Sequence, residues 1–135
     1  MIFEQIATGG CQSYLVGCAD TCAGALIDPE LSRVDRYVAL AARDSLRIRY
    51  VIDTHTHADH FSGTRELARR LAIPVVMHRA SPAPFVDLRL DDGEMLVVGK
   101  LRLRAMHTPG HTRDSMCLIA EIGRASCRER VYHPV

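Results

Sequence analysis

Seven consecutive residues, Thr54-His55-Thr56-His57-Ala58-Asp59-His60, concentrate the chemistry of this chain. Three imidazoles and a carboxylate fall within six positions, directly behind the apolar run Tyr50-Val51-Ile52. Imidazole and carboxylate are the ligands of a borderline divalent metal such as zinc or iron. Along a strand, side chains alternate with period two, so His55 and His57 would point the same way. A turn after His57 would then bring Asp59 and His60 back beside them. In a helix the two histidines would face roughly opposite directions. The spacing therefore predicts a strand running into a loop. Phe61-Ser62-Gly63 follows, with the glycine expected to open the next turn. Four ligand-type residues at this density argue for a metal site over a polar loop with incidental histidines.

The elements around the cluster follow from periodicity. Ile2 to Ala7, Gln12 to Val16 and Ala23 to Ile27 read as strands, with a turn at Gly9-Gly10. Asp28-Pro29 ends the third strand, and Asp28 is a candidate helix cap. Leu31, Val34, Tyr37, Val38 and Ala41 have helical spacing, which predicts a helix from Glu30 to Asp44. Ile48 to Ile52 is a short buried strand that delivers Asp53 and the histidines to its C-terminal end, where α/β architectures favour ligand sites. Asp53 suits two roles equally: orienting a histidine or capping the strand end. Thr64 to Leu71 reads as a second helix, with Arg65, Arg69 and Arg70 on a solvated face. Ile73 to Met77 is a strand, followed by His78, read as structural or exposed. Asp91-Asp92-Gly93 is a turn between short strands. Met95 to Val98 and Leu101 to Met106 form a hairpin around Gly99-Lys100. His107, at its end, is read as structural. Met116 to Ala120 is a last apolar strand.

Composition sets bounds. The 135 residues are 47% hydrophobic and 24% charged, an ordinary globular balance for one domain at most. A net charge of +1 gives no electrostatic case for nucleic acid or an acidic membrane. No apolar run approaches the roughly 18 residues of a membrane helix. Met1-Ile2-Phe3-Glu4 lacks the basic start and apolar core of a secretory signal, so a cytoplasmic location is expected. The five cysteines are odd in number and irregularly spaced. Cys11, Cys18, Cys22 and Cys117 are read as small buried or half-buried residues in a reducing compartment.

The histidine cluster resembles the metal-binding signature of the metallo-β-lactamase superfamily. Thr108-Pro109-Gly110-His111-Thr112 is similar to the loop from which that family supplies a further ligand, and the two motifs stand in the family's order. Within the superfamily, the stretch from Phe3 to Ala120, with Ala25-Leu26-Ile27-Asp28-Pro29, most resembles persulfide dioxygenases and glyoxalase II enzymes. The resemblance implies an α/β fold, the αβ/βα four-layer sandwich, of which residues 1–120 make about the N-terminal half. It implies metal binding by His55, His57, Asp59, His60 and His111, with Asp59 also assigned to catalysis. In a zinc hydrolase of glutathione thioesters, two Zn(II) ions would be held, one by His55, His57 and His111 and the other with Asp59 and His60. In a persulfide dioxygenase one Fe(II) would be held by His55, His111 and an Asp, with His57, Asp59 and His60 beside it. The substrate implied is a small glutathione-linked thiol. The overall likeness and Ala58 lean toward the dioxygenase. A non-catalytic metal-binding fragment is the alternative of another class.

The family's bridging Asp, usually in a Gly-Asp motif, and its final His have no match here. Asp114 and His133 lie outside the expected context. Residues 121–135 lack clear strand or helix periodicity and resemble the translation of a short-read sequencing adapter, so a non-native tail is expected. Without that stretch the net charge falls from +1 to zero. A half domain is further expected to leave the apolar inner face of its sheet open and to be aggregation-prone.

Overall fold

Alternating apolar runs at both ends of the chain pair into two sheets, and the helices between them cover one outer face. A computed structural model describes residues 1–8, 11–56, 62–110, 112–122 and 130–132. Strands β1 (Ile2–Thr8), β2 (Cys11–Cys18) and β3 (Ala23–Ile27) pair antiparallel in sequence order. A single 3-10 turn at Leu31–Arg33 leads into α1 (Val34–Arg43), which crosses over to β4 (Arg47–Ile52), parallel to β3. Helix α2 (Thr64–Leu71) makes the next crossover, to β5 (Val75–His78), and β6 (Leu88–Leu90) closes the first sheet in parallel. The order is β1-β2-β3-β4-β5-β6.

Strands β7 (Met95–Val98), β8 (Leu101–His107), β9 (Met116–Ile122) and β10 (Arg130–Tyr132) form a second, antiparallel sheet in the order β10-β9-β8-β7. Leu96, Val98, Leu101, Leu103, Ala105, Leu118 and Ala120 are buried in one cluster with Val16, Ala25, Ile27, Ile52 and Val76 of the first sheet. This corrects the expectation of an open inner face. The period-two pattern of β8, with Leu101, Leu103 and Ala105 buried and Arg102 exposed, turns its apolar side onto the first sheet. The chain supplies its own second sheet, as sheet-on-sheet packing requires.

The other face of the first sheet carries Leu15, Leu26, Val51, Val75 and Met77 and is covered by Val34, Tyr37 and Ala41 of α1 and Leu67 of α2. These helix residues recur every three or four positions, the stripe that a surface helix buries. All five residues of β3 are buried, as a strand covered on both faces demands. Arg69 and Arg70 of α2 make exposed ion pairs with Glu66 and Asp35, at 2.6 Å and 2.7 Å, and pairs of that kind contribute little. On the second sheet's outer face Arg104 pairs with Glu121, while Val97 and Met106 stand exposed. Among the described residues both helices lie on the first sheet. Cys18 and Cys117 are buried, but Cys22, expected to be at least half-buried, is exposed at positive φ in the turn before β3. No helix among the described residues is long and apolar enough to cross a membrane.

Candidate functional site

The parallel strands β3, β4 and β5 end on the same sheet edge, and the chain places polar residues directly after them. Asp28 follows β3, Asp53-Thr54-His55-Thr56 follows β4, and His78 closes β5. Asp28, Asp53, Thr54, His55, His78 and Asp114 are all buried. Burying this much polar surface costs free energy, and hydrogen bonds from nearby hydroxyls and backbone N–H groups offset most of it.

The first link runs from Asp28 to His55. The Asp28 carboxylate accepts the Thr54 backbone N–H at 2.8 Å and its hydroxyl at 2.5 Å. The Thr54 Oγ1 lies 3.1 Å from His55 Nδ1. With its proton given to Asp28, the Thr54 oxygen presents a lone pair, so His55 donates from Nδ1. That assignment leaves the lone pair on Nε2, the form in which a neutral imidazole binds a metal. Asp28 is therefore not the helix cap that its position suggested. Its φ of 52° turns it away from α1, and aspartate is among the few residues that adopt such a φ readily. Its carbonyl accepts a hydrogen bond from the Ser13 hydroxyl at 2.6 Å, and the Ser13 oxygen lies 2.8 Å from that of Tyr37.

Two more carboxylates grip the segments flanking the histidines. Asp53 accepts hydrogen bonds from the hydroxyls of Ser62, at 3.2 Å, and Thr64, at 2.6 Å. These bonds tie the end of β4 to the start of α2. Gly63 sits between these contacts for a steric reason. A Cβ there would come within 2.9 Å of the Glu30 carbonyl oxygen, and its N–H donates to the Pro29 carbonyl at 2.8 Å. Close backbone approach, rather than a positive φ, requires this glycine. Asp114 accepts the Thr56 N–H at 3.2 Å and the Thr56 hydroxyl at 2.5 Å. Burial alone pushes the Asp114 carboxyl up, but the hydrogen bonds from Thr56 and Thr112 outweigh it and hold the group below the usual carboxylate range.

His78, read as structural or exposed, and His107, read as structural, stack with ring centroids 3.9 Å apart and planes 12° from parallel. His78 is buried, and its Nδ1 accepts the Ala80 N–H at 3.0 Å while its buried Nε2 has no hydrogen-bond partner among the described residues. His107 Nε2 lies 2.8 Å from the Arg113 carbonyl. Burial lowers the His78 pKa, and its neighbour His107 lowers it further against the pull of Asp91, Asp92 and Asp114. The folded-state value thus lies below the ordinary 6.5, and on acidification the unfolded chain takes up this proton first. The stability that His78 contributes is present above its ordinary value and is lost as pH falls below it. Melting temperature is expected to drop between about pH 7.5 and about pH 5.5, and His78→Phe, which keeps the stack, should flatten that slope.

His57, Asp59, His60 and His111 lie outside the described residues. Of the sequence-assigned ligands the structure places His55, in a bend rather than a strand, because β4 already ends at Ile52. Period-two alternation therefore does not set the His55 side chain; its contact with the Thr54 hydroxyl, itself held by Asp28, does. Among the described residues no three His, Cys, Asp or Glu side chains gather in a metal-sized group. Sequence reasoning missed Thr54, Thr56 and Asp114 as organisers of the site. The available signal was the threonine on each side of His55, a hydroxyl placed to brace the chain next to an imidazole.

Three comparisons bear on this arrangement. A model of the metallo-beta-lactamase superfamily matches residues 6–125. A hydroxyacylglutathione hydrolase of Rhodopseudomonas palustris is 36% identical over 115 residues, covering 83% of this chain and 44% of that protein. The human mitochondrial persulfide dioxygenase ETHE1 is 36% identical over 101 residues, covering 74% of this chain and 39% of its own length. The crystal structure of ETHE1 from Myxococcus xanthus superposes with a TM-score of 0.85 at 34% identity, over 89% of this chain and 54% of that one. The chain thus spans less than half the length of these two curated relatives.

Proposed function

The chain belongs to the metallo-β-lactamase superfamily, whose members are metal-binding enzymes, and from that premise we propose that it serves a persulfide dioxygenase acting on glutathione persulfide at one iron. The observation that carries this reading is the likeness to ETHE1 proteins in both sequence and structure, at 36% and 34% identity. Identity of 36% to a hydroxyacylglutathione hydrolase favours a second reading, a two-zinc hydrolase of glutathione thioesters. Both readings take a small glutathione-linked substrate and place the same five residues at the site, His55 and His111 being ligands in each.

The tautomer of His55 fits such a site, because its Nε2 keeps the lone pair while Nδ1 is engaged by Thr54. We assign His55 and His111 to the iron, with His57, Asp59 and His60 beside it; in the zinc reading all five are ligands. A bound iron supplies open positions for a sulfur substrate and oxygen, and bound zinc supplies a water of lowered pKa. The residues of the chain orient and exclude. Asp28 and Thr54 fix the ring of His55, Asp53 ties down the far end of the histidine loop, and the buried strand ends keep water from those hydrogen bonds. The carboxylate that completes either site is assigned to the part of the relatives that this chain does not span. Residues 1–120 are proposed as family domain and 121–135 as a tail foreign to it, although β9 runs to Ile122 and β10 pairs beside it.

The test is made on a protein of the relatives' length, loaded separately with Fe(II) and Zn(II). Oxygen uptake with glutathione persulfide is expected in the iron form. Cleavage of S-lactoylglutathione by the zinc form, with no oxygen uptake by the iron form, overturns the dioxygenase in favour of the hydrolase. The 135 residues alone are expected to bind metal weakly and turn over little, because they lack that carboxylate and the residues that would position substrate.

A further inference from the structure

Residue 56 stands between two of the histidines assigned to the site, His55 and His57, and the structure holds it by both its backbone and its side chain. Asp114 Oδ1 accepts the Thr56 N–H at 3.2 Å and Asp114 Oδ2 accepts the Thr56 hydroxyl at 2.5 Å. Asp114 is 2% exposed. It lies three positions after His111, in a turn braced from within. There the Thr112 and Ser115 hydroxyl oxygens are 2.7 Å apart, and the Gly110 N–H donates to the Thr112 carbonyl at 3.1 Å. A parallel link runs beside the carboxylate, from the Met116 N–H to the Thr54 carbonyl at 2.9 Å. The two loops thus meet through a backbone rung at Thr54 and a carboxylate clasp at Thr56, although 58 positions of sequence separate Thr56 from Asp114.

We propose that Asp114 is a positioning residue that locks the two histidine-bearing loops in register before a metal arrives, by fixing Thr56 of one loop against the turn at 112–115 of the other. The proposal rests on the metal reading given above. Asp114 is an unsuitable candidate for the carboxylate ligand, since both of its oxygens are committed to Thr56 and coordination would break buried hydrogen bonds that cost free energy to lose. A ligand set drawn from two loops distant in sequence binds tightly only if folding has already fixed their relation. A buried carboxylate gripping a backbone N–H and a side chain of one residue fixes both the position and the rotation of that residue.

The experiment uses the 135-residue chain and the variants Asp114→Ala, Thr56→Val, Thr56→Ser and the double variant Asp114→Ala/Thr56→Val. The readouts are Co(II) affinity, the visible Co(II) spectrum, and amide exchange over residues 54–56 and 112–116. Thr56→Val keeps the shape and loses the hydroxyl, whereas Thr56→Ser restores it. Asp114→Ala and Thr56→Val are each expected to weaken Co(II) binding by about 10–100-fold, less than additively when combined, with Thr56→Ser within about twofold of the parent. Amide exchange in both segments should speed up in the first two variants and not in Thr56→Ser. Unchanged affinity and spectrum in Thr56→Val, or a Thr56→Ser variant as weak as Thr56→Val, overturns the proposal even if melting temperatures shift. A parent chain that takes up no Co(II) overturns the metal reading instead. The exchange rates then judge the latch alone, and no acceleration in Thr56→Val overturns it.

Discussion

His55→Ala is expected to weaken zinc or cobalt binding by more than the roughly 10–100-fold that loss of an outer hydrogen-bonding partner costs. The expectation follows from the direction of the Asp28–Thr54–His55 chain. The Thr54 hydroxyl donates to Asp28 at 2.5 Å and its oxygen accepts from His55 Nδ1 at 3.1 Å, the tautomer with the lone pair on Nε2. The histidine is buried, so its orientation is set by folding rather than by binding. Thr54→Val should produce a smaller loss of the same kind, since it frees the tautomer but keeps the imidazole. Competition with a chromophoric chelator measures both. A His55→Ala chain that holds metal as tightly as its parent would remove His55 from the site.

The second large effect concerns the interface between the sheets. Leu103→Ala is expected to destabilise the fold by about 2–5 kcal/mol, a large fraction of the roughly 5–15 kcal/mol that holds a domain together. Leu103 has no exposed surface and lies in the cluster that joins β8 to β2, β3, β4 and β5. Its neighbours belong to two stacked sheets, which cannot collapse into the cavity without moving relative to each other. Chemical denaturation of the two chains measures the difference. A loss below about 0.5 kcal/mol, the scale of an ordinary surface substitution, would mean that the sheets are not packed as described.

Much of this architecture is legible in the sequence where the signal is local. Ala23–Ile27 and Thr64–Leu71 have the expected boundaries, since an unbroken apolar run and a helical stripe each depend on neighbours within a few residues. The start of α1 is less legible. Asp28 carries the chemistry of a cap but spends its carboxylate on Thr54, and a 3-10 turn replaces the first turn of the expected helix. The alternation in Leu101, Leu103 and Ala105 was readable as one apolar face, but not what that face covers. Its partners on the first sheet are brought near only by the fold. The clasp between Asp114 and Thr56 was invisible for the same reason. A histidine cluster announces itself by density, whereas the acid that holds it lies 58 positions away and looks like any loop aspartate.

Histidines from both loops are proposed to meet at one metal, and X-ray absorption at the zinc edge of the zinc-loaded chain can count the imidazoles around it. Imidazole scattering from at least two rings is expected, with nitrogen at about 2.0–2.1 Å from the metal. His55→Ala and His111→Ala should each remove part of that signal. A spectrum of water and carboxylate oxygen alone, or one that neither substitution alters, would mean that the two loops do not share a metal.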